Sequence, residues 1–213
     1  MLKISPLITI FTLICSLELA GQTQGRNITI KSRSLTTKVK KFSKQDLQTS
    51  LALSSYLFNS IEFQDSLKKL SFKYSNYCLD CGTNVPERQE RITGATILDS
   101  IFRSSEAEID FRLKRMGKPP LYFICFGLGN TCPASKKQTP KVTSNYLNIK
   151  CDMGKELPFT HAYAVHICHE YVHYIGYCHT DHKDDVAEEV GLIAYHFIKK
   201  WHEEGTRFRE IVK

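Results

Sequence analysis

The stretch His169-Glu170-Tyr171-Val172-His173-Tyr174-Ile175-Gly176-Tyr177-Cys178-His179 decides how this chain is read. His169 and His173 are four residues apart, so on a helix both imidazoles project from one face, one turn apart. Two ligands of a tetrahedral zinc ion need that geometry. Glu170 lies about 100° further round the helix, where its carboxylate can act on a water at the metal without being a ligand. Gly176 lets the chain leave the helix with a positive φ, which residues carrying a Cβ resist. His179 can then swing back as third ligand. Three protein ligands leave a fourth position for water, the mark of a catalytic rather than a structural site. The Gly and the third His at fixed offsets make the pattern far more specific than H-E-x-x-H alone.

The flanks supply the frame. Thr160 is expected to cap a helix running to about Ile175, where Gly176 stops it. Asp184 and Asp185 open a last helix to about His202, with Val186, Val190, Ile193, Ala194, Phe197 and Trp201 on its apolar face. Upstream, Ser43 with Asp46 reads as a capping box before Leu47, Leu51, Leu53 and Leu57. Ile61 to Phe72 is a second amphipathic stretch, and Ala95 to Phe111 is expected as a further helix that Ser104 and Ser105 can interrupt. Leu121 to Phe126 suits a buried strand, and Tyr146 to Cys151 alternates well enough for another. Residues 73–93 and 127–143 read as loops. Helices, two short strands, then two long helices predict an α+β domain.

At His169–His179 the sequence resembles the metzincin clan of zinc metallopeptidases, whose signature is H-E-x-x-H-x-x-G-x-x-H. The resemblance implies a zincin-like single domain over residues 46–213, with a short mixed sheet, an active-site helix and a C-terminal helix. It implies His169, His173 and His179 as zinc ligands, Glu170 as general base, and a peptide or protein substrate. A strand before the active-site helix pairs with the substrate backbone in that clan, which makes Tyr146 to Cys151 the candidate here. The chain departs from the clan in having no Met after Met153, where metzincins place a methionine turn beneath the metal. That departure keeps two alternatives in view. In one, Glu189 replaces His179 as third ligand, as a Glu from a following helix does in gluzincins. In the other, the domain is an inert binding or effector module with a structural or vestigial zinc site.

All eight histidines fall between His161 and His202. His166, three residues before His169 on the same face, is expected to line the cleft or support a ligand, and His161, His182, His196 and His202 to lie on the surface. Tyr174, Tyr177 and Tyr195 are expected to pack.

Composition sets the outer limits. The 213 residues are 42% hydrophobic and 24% charged, enough for one globular domain and unlike a disordered or coiled-coil chain. No apolar run reaches the ~18 residues of a membrane span. Met1 to Gly21 reads as a signal peptide with Lys3 in its n-region and an apolar run from Leu7 to Cys15, cleaved after Ala20 or Gly21. A secreted, extracellular or periplasmic, monomer is therefore expected. Of the eight cysteines Cys15 leaves with the signal, and export permits disulfides among the rest. Cys78 and Cys81 form a C-x-x-C, read as a tight disulfide or half of a metal knuckle. Cys125 with Cys132 would close a short loop, and Cys151 with Cys178 is a further option. Cys168 is expected to pack or to form a disulfide.

The formal charge of +7 comes from one segment. Residues 26–45 carry Arg26, Lys31, Arg33, Lys38, Lys40, Lys41 and Lys44 and no acid, whereas acids and bases balance from residue 46 onward. Residues 22–45 are thus read as a basic flexible arm or a prosegment. With Phe42 its only aromatic, the arm is a poor nucleic-acid binder.

Overall fold

A computed structural model of the chain describes residues 26–32, 34, 36–72, 91–114, 129–132, 141–177, 179 and 185–205. Among them are the strands β1 (Thr29–Lys31) and β2 (Thr36–Thr37), the helices α1 (Lys44–Asn59) and α2 (Ile61–Lys68), and the strands β3 (Ser71–Phe72) and β4 (Ile92–Thr93). Helix α3 (Gly94–Ile101) and strands β5 (Glu106–Glu108), β6 (Asp110–Lys114), β7 (Gly129–Cys132) and β8 (Lys141–Asn145) come next. Helices α4 (Tyr146–Asp152), α5 (Phe159–Tyr174) and α6 (Val186–Glu203) complete the order. The fold is mixed α+β. The main sheet has the order β2-β6-β8-β7, with β2, β6 and β8 parallel and the edge strand β7 antiparallel to β8. Two smaller pairs, β1 with β5 and β3 with β4, account for the other strands.

Helix α5 is the centre of the molecule, in contact with α1, α4, α6 and β7. It can be buried because its residues are small or apolar nearly all round: Ala162, Ala164, Ile167, Cys168 and Val172 are fully buried. Helix α1 approaches it closely through serines. Ser50 Oγ donates to the Thr160 carbonyl at 2.8 Å and Ser54 Oγ to the Ala164 carbonyl at 3.0 Å. A small hydroxyl that back-bonds its own helix and also reaches the next one satisfies its polarity while keeping the helices near. The capping box of α1 forms as its sequence predicts: Ser43 Oγ accepts from the Asp46 N–H at 3.1 Å, and Asp46 Oδ2 accepts from the Ser43 N–H at 2.7 Å.

Several expectations are corrected. The stretch 95–111 is not one helix. Helix α3 ends at Ile101, and beyond the bends at Ser104 and Ser105 the buried residues Ala107, Ile109, Phe111 and Leu113 recur at period two, which is strand geometry. Tyr146 to Cys151 is helix α4 rather than a strand, because Asn145 caps it by accepting the Leu147 N–H at 3.2 Å; the strand lies just upstream, as β8. Ile61 to Phe72 divides into α2 and β3. Helix α5 starts at Phe159 with Pro158, not Thr160, at its N-cap position, and no side chain caps it. Within 127–143, β7 and the start of β8 replace the expected loop.

The basic segment is not a solvated arm where it is described. Ile28, Ile30, Val39 and Phe42 are buried, and β1 and β2 each pair with the body. Asn59 on α1 grips Ile28 by both its N–H and its carbonyl, at 2.8 and 3.0 Å. Phe42 meets Phe159 edge-on at 4.7 Å between ring centroids. Its lysines stay outward, which is why charge pattern alone suggested an arm. Residues 1–21, Leu121 to Phe126, Cys78, Cys81, Cys125 and Cys178 lie outside the described residues, as do the side chains of Cys132 and Cys151. The described helices include none long and apolar enough to cross a membrane.

Candidate metal centre

Helix α5 presents His169 and His173 one turn apart, and the chain then turns through Gly176, whose φ of 108° lies in the left-handed region that favours glycine. Tyr177 sets the path of the chain beyond this turn. Its ring is 1% exposed and its hydroxyl meets Ser100 Oγ at 3.2 Å, so the phenol anchors the exit of the turn in the core. Its carbonyl faces back to the helix and accepts a hydrogen bond from His173 Nδ1 at 2.6 Å. His179 is thereby carried over the helix end. The tyrosine packs, as expected, and its backbone also orients an imidazole.

Three nitrogens converge. His173 Nε2 lies 3.1 Å from His169 Nε2 and 3.2 Å from His179 Nε2, and one ligand atom from each ring falls within 4.8 Å of the others. A tetrahedral ion with nitrogen ligands at ~2.0–2.1 Å holds them ~3.3–3.4 Å apart. The tautomers agree. A carbonyl only accepts, so His173 Nδ1 carries the proton and Nε2 of the neutral ring presents its lone pair. Burial, with the neighbouring His169 adding to it, pushes the His173 pKa down to about 4; burial likewise takes His169 to about 4. Three ring nitrogens gathered in this way could hold a metal ion.

His179 is the most exposed of the three, and it is held from behind. Asp185 Oδ2 lies 3.0 Å from its Nδ1, and this hydrogen bond, ahead of the desolvation that opposes it, raises the His179 pKa. A carboxylate on the far ring nitrogen is the usual support of a metal-bound imidazole. On its other side the cluster is backed by α6: a Cβ built on Gly191 would stand 3.5 Å from His169 Nδ1.

Glu170 is buried at 2% exposure and points away from the helix's outer face. His166 Nε2 lies 3.5 Å from its Oε1 and 2.9 Å from Ser144 Oγ on β8, and Tyr163 donates to that same Ser144 hydroxyl at 3.4 Å. His166 thus joins the sheet hydroxyl to the Glu170 carboxylate and stands outside the three-histidine group. Burial, followed by the charge of His173, lowers its pKa to about 3. The Glu189 alternative gains nothing, because among the described residues only His169, His173 and His179 gather as a metal-binding group. Cys168 is a free, fully buried thiol whose pKa burial pushes up to about 12. His196 and His202 are exposed as expected, whereas His161 is half-buried and not on the surface; His182 lies outside the described residues. Two participants were not legible in the sequence as parts of the site. Asp185 carried only the signal of a helix cap, and Ser144 carried none.

Comparisons with protein-family models, with curated proteins and with solved structures find no match.

Proposed function

We propose that the chain is a secreted zinc metallopeptidase of zincin-like fold that hydrolyses peptide bonds. The observation that carries the reading is the approach of His169 Nε2 and His179 Nε2 to His173 Nε2, at 3.1 and 3.2 Å, beside a buried carboxylate on the same helix. When bound, zinc supplies Lewis acidity, polarising the scissile carbonyl and bringing the pKa of a coordinated water toward ~7. His169, His173 and His179 hold the ion through Nε2. Glu170 takes the proton from the attacking water and returns it to the leaving amine. The imidazole of His166 keeps that carboxylate in place. The edge strand β7, antiparallel to β8 and in contact with α5, offers backbone groups to an extended peptide, in place of the helical Tyr146 to Cys151.

The test is zinc per chain in the purified protein, followed by peptide-library cleavage. We expect about one zinc, a strong loss in His179→Ala, and in Glu170→Ala full zinc with no cleavage. Cleavage retained by Glu170→Ala defeats the mechanism. The absence of any Met after Met153 favours a second reading, an inert binding or effector domain with a structural zinc. It predicts one zinc and no hydrolysis of any library.

A further inference from the structure

The turn between β2 and α1 gathers four lysines. The Phe42 N–H donates to the Val39 carbonyl at 3.1 Å and closes a turn with Lys40 and Lys41 at its two central positions. Val39 and Phe42 are 8% and 5% exposed, so the ends of the turn are sunk in the core while its tip stands in solvent. Lys38 precedes the turn, its N–H donating to the Leu113 carbonyl at 3.1 Å, and Lys44 opens α1. All four lysines are exposed. Several exposed cations elsewhere lie against acids: Arg26 meets Asp99, Lys31 meets Glu106, Lys68 meets Asp65 and Lys200 meets Glu204. None of the four lysines has such a partner among the described residues. Asp46, the acid next to them in sequence, is taken up by the N–H and hydroxyl of Ser43.

We propose that this lysine tip docks the protein on an anionic lipid surface. The excess charge of the chain is concentrated here, since residues 26–45 carry no acid and the charges balance from residue 46 onward. Lysine is a compact, hydrated point charge without the planar fork by which arginine grips a single phosphate or sulfate in two bonds. Four lysines together therefore suit the diffuse field of a headgroup layer better than the discrete groups of a sulfated polysaccharide. Phe42 is buried, which leaves no aromatic face at the tip for a nucleic-acid base to stack on. The tip is also built in advance. Phe42 packs edge-on against Phe159, and the Val39 N–H donates to Thr37 Oγ1 at 3.1 Å, so little order is lost on docking. Each lysine near an anionic leaflet strengthens binding about fivefold. The surface is independent of the metal centre and of the catalytic reading.

The test is co-sedimentation of the purified protein with phosphatidylcholine vesicles, with and without about one third phosphatidylserine. The expected result is binding to the anionic vesicles alone, lost at about 0.5 M salt. Lys40→Glu/Lys41→Glu is expected to weaken it by at least about 25-fold with an unchanged melting temperature, because both side chains stand in solvent. Lys69→Glu/Arg103→Glu, which changes the charge by the same amount at exposed positions elsewhere, is expected to keep most of the binding. Equal binding to neutral vesicles, no binding to anionic ones at low salt, or equal losses in the two double variants overturns the proposal. Retention on heparin without vesicle binding overturns it as well, in favour of a sulfated polysaccharide.

Discussion

Asp185 holds His179 with one carboxylate oxygen and the N-terminus of α6 with the other. Oδ2 lies 3.0 Å from His179 Nδ1, while Oδ1 accepts the Ala187 and Glu188 N–H groups at 2.8 and 3.0 Å. One buried side chain thus couples the position of the third imidazole to the start of the last helix. The helix end, where partial positive charge gathers, is a favourable place for a carboxylate that also accepts from the imidazole.

Asp185→Asn separates these two duties. The amide oxygen can still cap α6, but the NH2 group cannot accept from His179 Nδ1. Zinc affinity is expected to fall by ~10–100-fold with little change in melting temperature. Asp185→Ala loses the cap as well, at about 1 kcal/mol. Competition with a fluorescent zinc chelator, beside thermal melting, checks both.

Gly191 tests the rear wall of the cluster. A methyl there meets His169 Nδ1 at ordinary contact distance, so Gly191→Ala is expected to keep its zinc and gain about 0.5–1 kcal/mol from helix propensity. Gly191→Leu has no room beside the imidazole and should lose zinc. Denaturant midpoints and metal content read the two effects apart.

In chelator, the protein is expected to weaken on acidification from about pH 6.5 toward pH 4. His161 and His166 are held to about 4 and about 3 chiefly by burial, so below their unfolded pKa of ~6.5 the unfolded chain binds more protons and stability falls. Above pH 6.5 both states are neutral and the slope vanishes. Urea midpoints at pH 7.5 and pH 5 measure this, and His166→Asn should flatten the dependence. An equal slope in that variant would show that His166 plays no part.

Gly94 is fixed by close approach rather than by its backbone angle. A Cβ there would lie 1.7 Å from the Leu67 carbonyl oxygen, and Gly94 N–H donates to the Leu70 carbonyl at 2.9 Å. Gly94→Ala must push the α2–α3 contact apart. A loss of about 3 kcal/mol in chemical denaturation is expected, with the zinc equivalent kept in the folded fraction.

Local patterns gave up the parts of the fold that local physics decides. The capping box at Ser43, the arrest of α5 at Gly176 and the cap of α6 at Asp185 are each settled within a few residues of chain, and each stands where its spacing put it. So do the two imidazoles of α5, since a four-residue interval on a helix is a fixed displacement. Residues 106–113 were harder, because a short alternating stretch that comes after a helix continues its apolar count; only pairing with β1, β2 and β8 makes the strand worthwhile. Tyr146 to Cys151 failed the other way, as alternation over six residues fits a helix almost as well.

By itself, then, the sequence determined the three histidines, the helical spacing of His169 and His173, and the glycine that turns the chain. Those are properties of neighbours along the backbone. Only the tertiary structure decided that Tyr177 is anchored on Ser100, that Asp185 reaches His179, that Ser144 brings the sheet to His166, and that the basic segment packs against α1 and the aromatic core. These contacts join residues distant in sequence, and they form because buried polar groups must find partners and apolar side chains must leave water. Neither demand names its partner in the chain.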